Sequence, residues 1–373
     1  MKFGEIIGKE KVKDQLIQKV RNNAVPHAQL FVGKPGCGKL ALALAMIQYQ
    51  LCEQPTDNDA CGACKACTKI TKLIHPDVHF SFPVVPKKPG SKPVSNDYME
   101  VWRSSLLDNQ HLSYIEWMQA IGAENKQGNI TKEECRSIVQ KLSLKAFESD
   151  KKVLLIWLPE YLGKEGNALL KLIEEPPANT YFYLISENTD AILPTILSRT
   201  QLTNIPAYLP NEIEQYVSLH NPEAETSAVA FLANGSINAA QKFVTHTDAD
   251  LSDSFRTWMR LSFRRDVPKL MSWSDDMGSK GRENIKNFLQ YSLGIVREIL
   301  AYKSIPNYQI RLDKDEQQFV MNFSDVVEFA NIEVLYTGLN SCFGQIERNA
   351  NPKLTLFQLS LTLRDSFYAT QKA

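Results

Sequence analysis

Residues 28–49 decide the fold. Ala28-Gln29-Leu30-Phe31-Val32 is followed by Gly33-Lys34-Pro35-Gly36-Cys37-Gly38-Lys39-Leu40 and then by an apolar helical run to Tyr49. A buried strand, a loop matching G-x-x-x-x-G-K and a helix together form the phosphate-binding strand–loop–helix unit. Its glycines let backbone N–H groups curl around phosphate oxygens at a helix N-terminus, and its lysine reaches the outer phosphates. The match fails at one position. Where a Ser or Thr hydroxyl should bind magnesium, the chain has Leu40, which offers no oxygen to a metal that needs several. Gly33, Gly36, Gly38 and Lys39 therefore read as a degenerate phosphate loop. Nucleotide binding there stays open, and hydrolysis is not expected.

Outward from the loop, strand and helix patterns alternate. The spacing predicts a helix near Lys9–Asn22, a strand at Val153–Trp157, a helix at Lys164–Glu174 and a strand at Thr180–Ser186. Such alternation marks a parallel sheet covered by helices. Residues from about Phe80 to Asn129 interrupt it. The stretch Pro83–Pro93 is rich in proline and lysine and reads as an exposed loop, whereas Trp102, Leu106, Leu107, Trp117 and Met118 are apolar enough to pack helices. Pro206–Pro210 reads as a hinge. Beyond it only helical spacing is evident, as at Phe288–Tyr302 and Val326–Arg348.

Composition bounds the reading. The 373 residues allow two or three domains, and no apolar run reaches the length of a membrane span. Forty-two basic against forty-two acidic residues argue against a chain whose main task is coating nucleic-acid phosphates, although a local basic patch at Lys87–Lys92 stays open. Four of the seven cysteines, Cys52, Cys61, Cys64 and Cys67, form C-x8-C-x2-C-x2-C. Thiolates at that spacing can converge tetrahedrally on zinc, and four sulfur ligands leave no open position for chemistry. A disulfide pair is the competing reading. The odd cysteine count, the absence of a signal peptide and the phosphate loop point instead to a reducing cytoplasm. Cys37 sits inside the phosphate loop, and Cys135 and Cys342 read as core.

The loop and the cysteine module, in this order, resemble the delta-prime subunits of bacterial DNA polymerase III clamp loaders, members of the AAA+ family. Phe3-Gly4-Glu5-Ile6-Ile7-Gly8, Pro26-His27-Ala28, His75-Pro76-Asp77, Asn167-Ala168-Leu169-Leu170-Lys171, Glu174-Glu175-Pro176-Pro177 and Leu193–Thr200 are similar to that family's segments. The resemblance covers about 1–79 and 130–245. It implies an AAA+ P-loop domain at 1–206 with a zinc module and an insertion at about 80–129. A helical lid at 207–247 and an all-α collar at 248–373 would follow. The implied partners are motor subunits, a clamp-opening subunit, the sliding clamp and primed DNA, in the bacterial cytoplasm.

Departures from the family pattern are informative. Trp157 and Leu158 stand where motor subunits place an acidic pair on magnesium and the attacking water. Glu160, past a proline, reads as a surface glutamate at a helix entry, with a slipped metal ligand as the alternative. Asn238 stands at the lid position of a sensor arginine, and Thr200 follows Arg199 where the family has Cys. The metal hydroxyl, the acidic pair and the sensor cation are all missing, so no intrinsic catalysis is expected. Arg199 remains. The resemblance implies an arginine finger acting in trans on a neighbour's ATP, while the plainer reading is a surface arginine capping a carboxylate or a helix end. Two other functions stay open: a self-sufficient motor-type ATPase, and a zinc-dependent nucleic-acid-binding module.

Overall fold

Five strands form one all-parallel sheet in the computed structural model, which describes residues 2–372 apart from 89, 124, 125, 246, 247 and 349. The strands are β1 (Ala28–Val32), β2 (Val78–Ser81), β3 (Lys152–Trp157), β4 (Thr180–Ser186) and β5 (Gln201–Asn204), in the order β2-β3-β4-β1-β5. β1 lies between β4 and β5, pairing Leu30 with Leu184 and with Leu202. Parallel strands covered on both faces read as continuous apolar runs. The run Val153-Leu154-Leu155-Ile156-Trp157 is buried throughout.

Successive residues of these strands feed two different cores, as the two-residue period of a strand requires. Phe31, Val153, Leu155, Trp157, Tyr183 and Ile185 pack with α2 (Lys39–Leu51), the helix after the phosphate loop, and with α1 (Glu10–Arg21). Leu30, Leu154, Ile156, Phe182 and Leu184 pack on the other face with Cys135, Ile138 and Leu142 of a later helix, Lys132–Ser143. Every residue of α2 is buried, including the two turns Ala41–Ile47.

The interruption between β2 and β3 is folded. β2 itself claims Phe80 and Ser81, so the inserted segment begins later than the sequence suggests. Four residues containing His79 and Ser81 were too short and polar to reveal a strand. After the short α3 (Lys65–Thr71) of the cysteine module, the segment contributes α4 (Met99–Asp108) and α5 (Tyr114–Ala120), and α6 is the helix Lys132–Ser143. The proline-rich stretch is exposed only in its middle. Pro83, Val84, Val85 and Pro93 are buried, and Val84 forms an antiparallel bridge with Asn129. Two buried polar groups of the insertion find partners: Trp117 Nε1 donates to the Pro83 carbonyl (2.7 Å), and Ser95 N–H donates to the fully buried Glu134 (2.8 Å), whereas the buried Trp102 Nε1 has no hydrogen-bond acceptor among the described residues.

The helix expected over Lys164–Glu174 is instead a run of 3-10 turns, Pro159–Leu169, broken at Gly163, which leads into α7 (Leu170–Glu174). Gly163 adopts a φ of +50°, which interrupts α-helical hydrogen bonding. The rest of this region holds α8 (Pro194–Leu197). The chain divides into two compact units: residues up to Glu212 with Gly235–Asn238, and Ile213–Asn234 with Ala239 onward. The second is helical, with α12 (Asp248–Arg264), α13 (Val267–Ser279), α14 (Arg282–Ser304), α15 (Lys314–Ser324), α16 (Phe329–Glu347) and α17 (Pro352–Lys372) following α9 (Pro210–His220), α10 (Thr226–Ala233) and α11 (Ile237–Thr245). Trp258 stacks on Trp273 at 5.1 Å and donates its indole N–H to Ser360 at 2.8 Å, so its polar edge is satisfied inside the core.

Asp77, just before β2, ties the loop after α6 to the sheet. Its carboxylate accepts N–H bonds from Phe147 (2.6 Å), Glu148 (2.8 Å) and Ser149 (2.8 Å). Burial pushes its pKa up, but these three donors and the nearby His75 outweigh burial and hold it below the ordinary value. A carboxyl lowered in the fold stabilises above its unfolded pKa, near pH 4, and that stability is lost as pH falls through the folded value. Asp77→Asn is expected to lower stability by about 1–3 kcal/mol at neutral pH. Thermal melts across pH should show the gap between wild type and variant closing below about pH 4. A gap that stays constant into acid would remove this role from the carboxylate charge.

Candidate functional site

Gly33–Leu40 joins the C-terminal end of β1 to α2, as the strand–loop–helix reading requires. Gly36 (φ +73°) and Gly38 (φ +85°) occupy the left-handed region, where a side chain would strain the backbone. Lys39 follows at the first turn of α2. Its side chain is only 5% exposed, and its Nζ lies 3.0 Å from Glu187 Oε1 and 3.2 Å from the Lys34 carbonyl. A carboxylate of the same chain therefore sits where phosphate oxygens would meet the lysine. Leu40 is buried in the apolar core beneath.

The loop is covered as well as paired. Ile237 N–H donates to the Gly36 carbonyl (3.1 Å), and a methyl group at Gly36 would stand 2.1 Å from Ser236 Oγ. Tyr208 presses on Gly38, where a methyl group would meet its hydroxyl at 2.3 Å. The Lys9 ammonium lies 4.0 Å over the Tyr208 ring, and burial lowers the Lys9 pKa. Gln110, His111 and Leu112, in the turn between α4 and α5, line the small pocket over the loop together with Trp157 and Glu187, and one side of it stays open to solvent. About 10 Å³ of free volume is left. One water needs roughly that much.

At the tip of β3, Trp157 and Leu158 are both 1% exposed. Trp157 packs 5.1 Å from Trp102, which stacks on Phe82 (4.2 Å) and meets Trp117 edge-on (5.3 Å). The end of β3 is thus an apolar bed for α4 and α5. Glu160 corrects the expectation of a surface glutamate. It is half-buried, and its Oε1 accepts from Ser186 Oγ (2.7 Å) and from the N–H groups of Glu187 and Asn188. Burial raises its pKa despite these donors. It ties the turn after β3 to the turn after β4, and the oxygen offered to those donors is not free for a metal.

The four module cysteines converge, with their sulfurs all within 4.8 Å of one another. Cys52 caps the end of α2, Cys64 caps the start of α3, and Cys61 and Cys67 complete the set. All four are free thiols, with Cys61 and Cys67 sulfurs 3.9 Å apart, so the disulfide reading falls. Sulfurs about 2.3 Å from a tetrahedral centre would stand roughly 3.8 Å from one another. Backbone N–H groups aim at the sulfurs: Cys61 to Cys52 (3.3 Å), Ala63 and Cys64 to Cys61 (3.4 and 3.3 Å), and Cys67 to Cys64 (3.4 Å). The two donors from Ala63 and Cys64 lower the Cys61 pKa to about 6, whereas burial raises those of Cys52 and Cys67. These residues fit a metal ion. Cys37, Cys135 and Cys342 are buried elsewhere, as expected.

Arg199, just past α8, joins neither group. Its Nε and Nη2 each lie 3.0 Å from Glu174 Oε2, and its Nη1 donates to the Thr195 carbonyl at 3.0 Å. The guanidinium therefore caps α8 and pairs with the end of α7 at a partly exposed site. Within this chain it has the contacts of the plainer reading. Glu187 and Tyr208 escaped the sequence analysis. Glu187 could have been suspected, because it follows the apolar run of β4 at the carboxyl end of a parallel strand, where ligand-facing groups collect. Nothing in the sequence marked Tyr208.

The family model described as DNA polymerase III, delta subunit, matches residues 8–208. The DNA polymerase III subunit delta' of Escherichia coli is 28% identical over 211 residues, covering 56% of this chain and 49% of that protein. That of Bacillus subtilis is 25% identical over 245 residues, covering 65% of this chain and 61% of the relative. The chain thus spans about half to three fifths of the length of these relatives. A gamma subunit-related protein of Thermotoga maritima aligns in structure over 95% of this chain and 99% of its own, with 15% identity and a TM-score of 0.39. The strand–loop–helix unit, the cysteine cluster and the match over residues 8–208 lead to one assignment: the chain belongs to the DNA polymerase III delta-subunit family, with delta-prime subunits among its relatives.

Proposed function

We propose that this chain is a non-hydrolysing subunit of a DNA polymerase III clamp loader, completing the loader ring and lending Arg199 to a neighbouring motor subunit's ATP site. One contrast supports the reading. The phosphate loop keeps its lysine but has Glu187 on it, Leu40 and Trp157 in place of catalytic groups, and about 10 Å³ of room. Arg199 remains partly exposed, held by one carboxylate oxygen, one carbonyl and the Ser198 hydroxyl. A planar, permanently charged guanidinium suits stabilisation of a transferring phosphoryl group. In this reading Glu174 holds the side chain extended until a neighbour's nucleotide competes for it.

The remaining parts of the reading extend the chain's resemblance to that family. Residues 1–206 serve as the AAA+ P-loop domain, 207–247 as a helical lid, and 248–373 as the collar through which the chain joins motor and clamp-opening subunits. The sliding clamp and primed DNA are met through the assembled complex. The metal at Cys52, Cys61, Cys64 and Cys67 is zinc in this reading, stabilising the segment between α2 and β2 and supplying no open position for chemistry.

Elemental analysis of chain purified without chelators should give one zinc per chain. Cys64→Ser should lower both the metal content and the melting temperature. Full reactivity of all four thiols in a metal-free, equally stable protein would exclude the zinc role. For Arg199, size-exclusion chromatography and ATPase assays on the reconstituted complex separate the alternatives. Arg199→Ala should assemble normally and slow clamp-stimulated hydrolysis by at least about tenfold, and Arg199→Lys should recover part of the rate. Because surface ion pairs contribute little, the isolated variant should lose under about 1 kcal/mol of stability. Normal assembly with an unchanged rate would make Arg199 a helix cap only, whereas failed assembly would make it structural.

A further inference from the structure

We propose that the inserted segment is a built-in occupant of the phosphate site. The turn Gln110–Leu112, held by α5 against Ser236–Asn238, locks the loop shut, so that nucleotide is excluded by the chain itself. Missing catalytic groups bear on hydrolysis of ATP and not on its binding. Lys39 and the left-handed glycines, which would do the binding, are all present.

Three observations carry the inference. First, Gln110, His111 and Leu112 line the same small pocket as Gly36, Gly38, Lys39 and Leu40, and its volume of about 10 Å³ has room for at most one water. Second, the segment is stitched in place. Asn238 Nδ2 donates to Glu116 Oε2 at 3.1 Å, and the same oxygen accepts the Ser113 N–H at 2.8 Å, which caps α5. α5 cannot shift without breaking its own cap or the bond to Asn238. Third, Tyr208 wedges the assembly. Its ring meets His111 edge-on at 6.1 Å, its hydroxyl crowds Gly38, and its N–H donates to the Gly235 carbonyl at 3.0 Å. Behind all three, Trp117 and Trp102 anchor α5 and α4 on Trp157, which makes the occupant part of the core.

The segment thus keeps the loop in one conformation whatever the nucleotide concentration. This inference is independent of Arg199. It is read on the isolated chain, whereas the finger is read only in an assembled complex, so either can fail alone.

Amide hydrogen exchange at residues 34–40 and fluorescence anisotropy with mant-ADP and magnesium, both on the full chain, test it. The unaltered chain should exchange slowly there and show no saturable binding up to about 1 mM. Asn238→Asp sets a carboxylate against Glu116 and should speed exchange at Gly36–Lys39 by about tenfold or more. Adding Glu116→Gln, which removes that repulsion and keeps the α5 cap, should restore slow exchange. The half-buried pair Gln110→Gly and His111→Gly, which leaves the tryptophan core intact, should let mant-ADP bind at least about tenfold more tightly than wild type, and further Lys39→Ala should abolish that gain. Saturable ADP binding by the unaltered chain would overturn the proposal. So would folded variants of both kinds whose loop exchange and nucleotide affinity match wild type.

Discussion

The contact between Trp157 and Trp102 is the constraint on which the first unit depends. Trp157 ends a central parallel strand, at the sheet edge where groups that face a ligand collect. A fully buried indole there needs apolar cover, and the inserted helices supply it with Trp102, Trp117 and Phe82. A carboxylate in the same place would be buried without a partner, at a cost of several kcal/mol. Burial of Trp157 and the packing of Phe82, Trp102 and Trp117 around it are therefore coupled. The nearest acid, Glu160, is correspondingly turned to tying two backbone turns together.

Much of this could be read from the chain because the signals were local. Glycines with left-handed torsions, an apolar run buried on both faces and cysteines at metal spacing each depend on a few adjacent residues. β2 escaped because four residues with two polar side chains carry too little pattern, and the 3-10 run at Pro159–Leu169 escaped because Gly163 breaks an otherwise helical spacing. What covers the phosphate loop was not legible. Glu116 and Asn238 are 122 residues apart, Lys39 and Glu187 are 148 apart, and neither pair belongs to a periodic pattern. Trp102 and Trp117 were legible as apolar but not as neighbours of Trp157.

The three candidate sites are unequal in rigidity. The cysteine module is bounded by the end of a fully buried helix and by backbone N–H groups that already point at its sulfurs, so its geometry is largely set. The phosphate loop is held from several directions. Arg199 is the least constrained: one carboxylate oxygen, one carbonyl and the Ser198 hydroxyl hold it at the junction of two short helices. A side chain held so lightly can change partner without disturbing the sheet, as an inter-subunit role requires.

The spans closed by these contacts also bear on how the chain acquires its structure. The cysteine module draws together residues within one short stretch, so its closure entropy is small and it can form early, even while the chain is being synthesised. The cover of the phosphate loop closes the longest circuits in the first unit. The Lys9 N–H reaches Glu212 across 203 residues, and Glu116 waits for Asn238. Long circuits form late. A growing chain therefore presents its glycine loop without Ser236–Asn238 against it until about residue 238 has emerged; in the folded chain Gly38 and Lys39 are buried while Lys34 and Pro35 stay exposed.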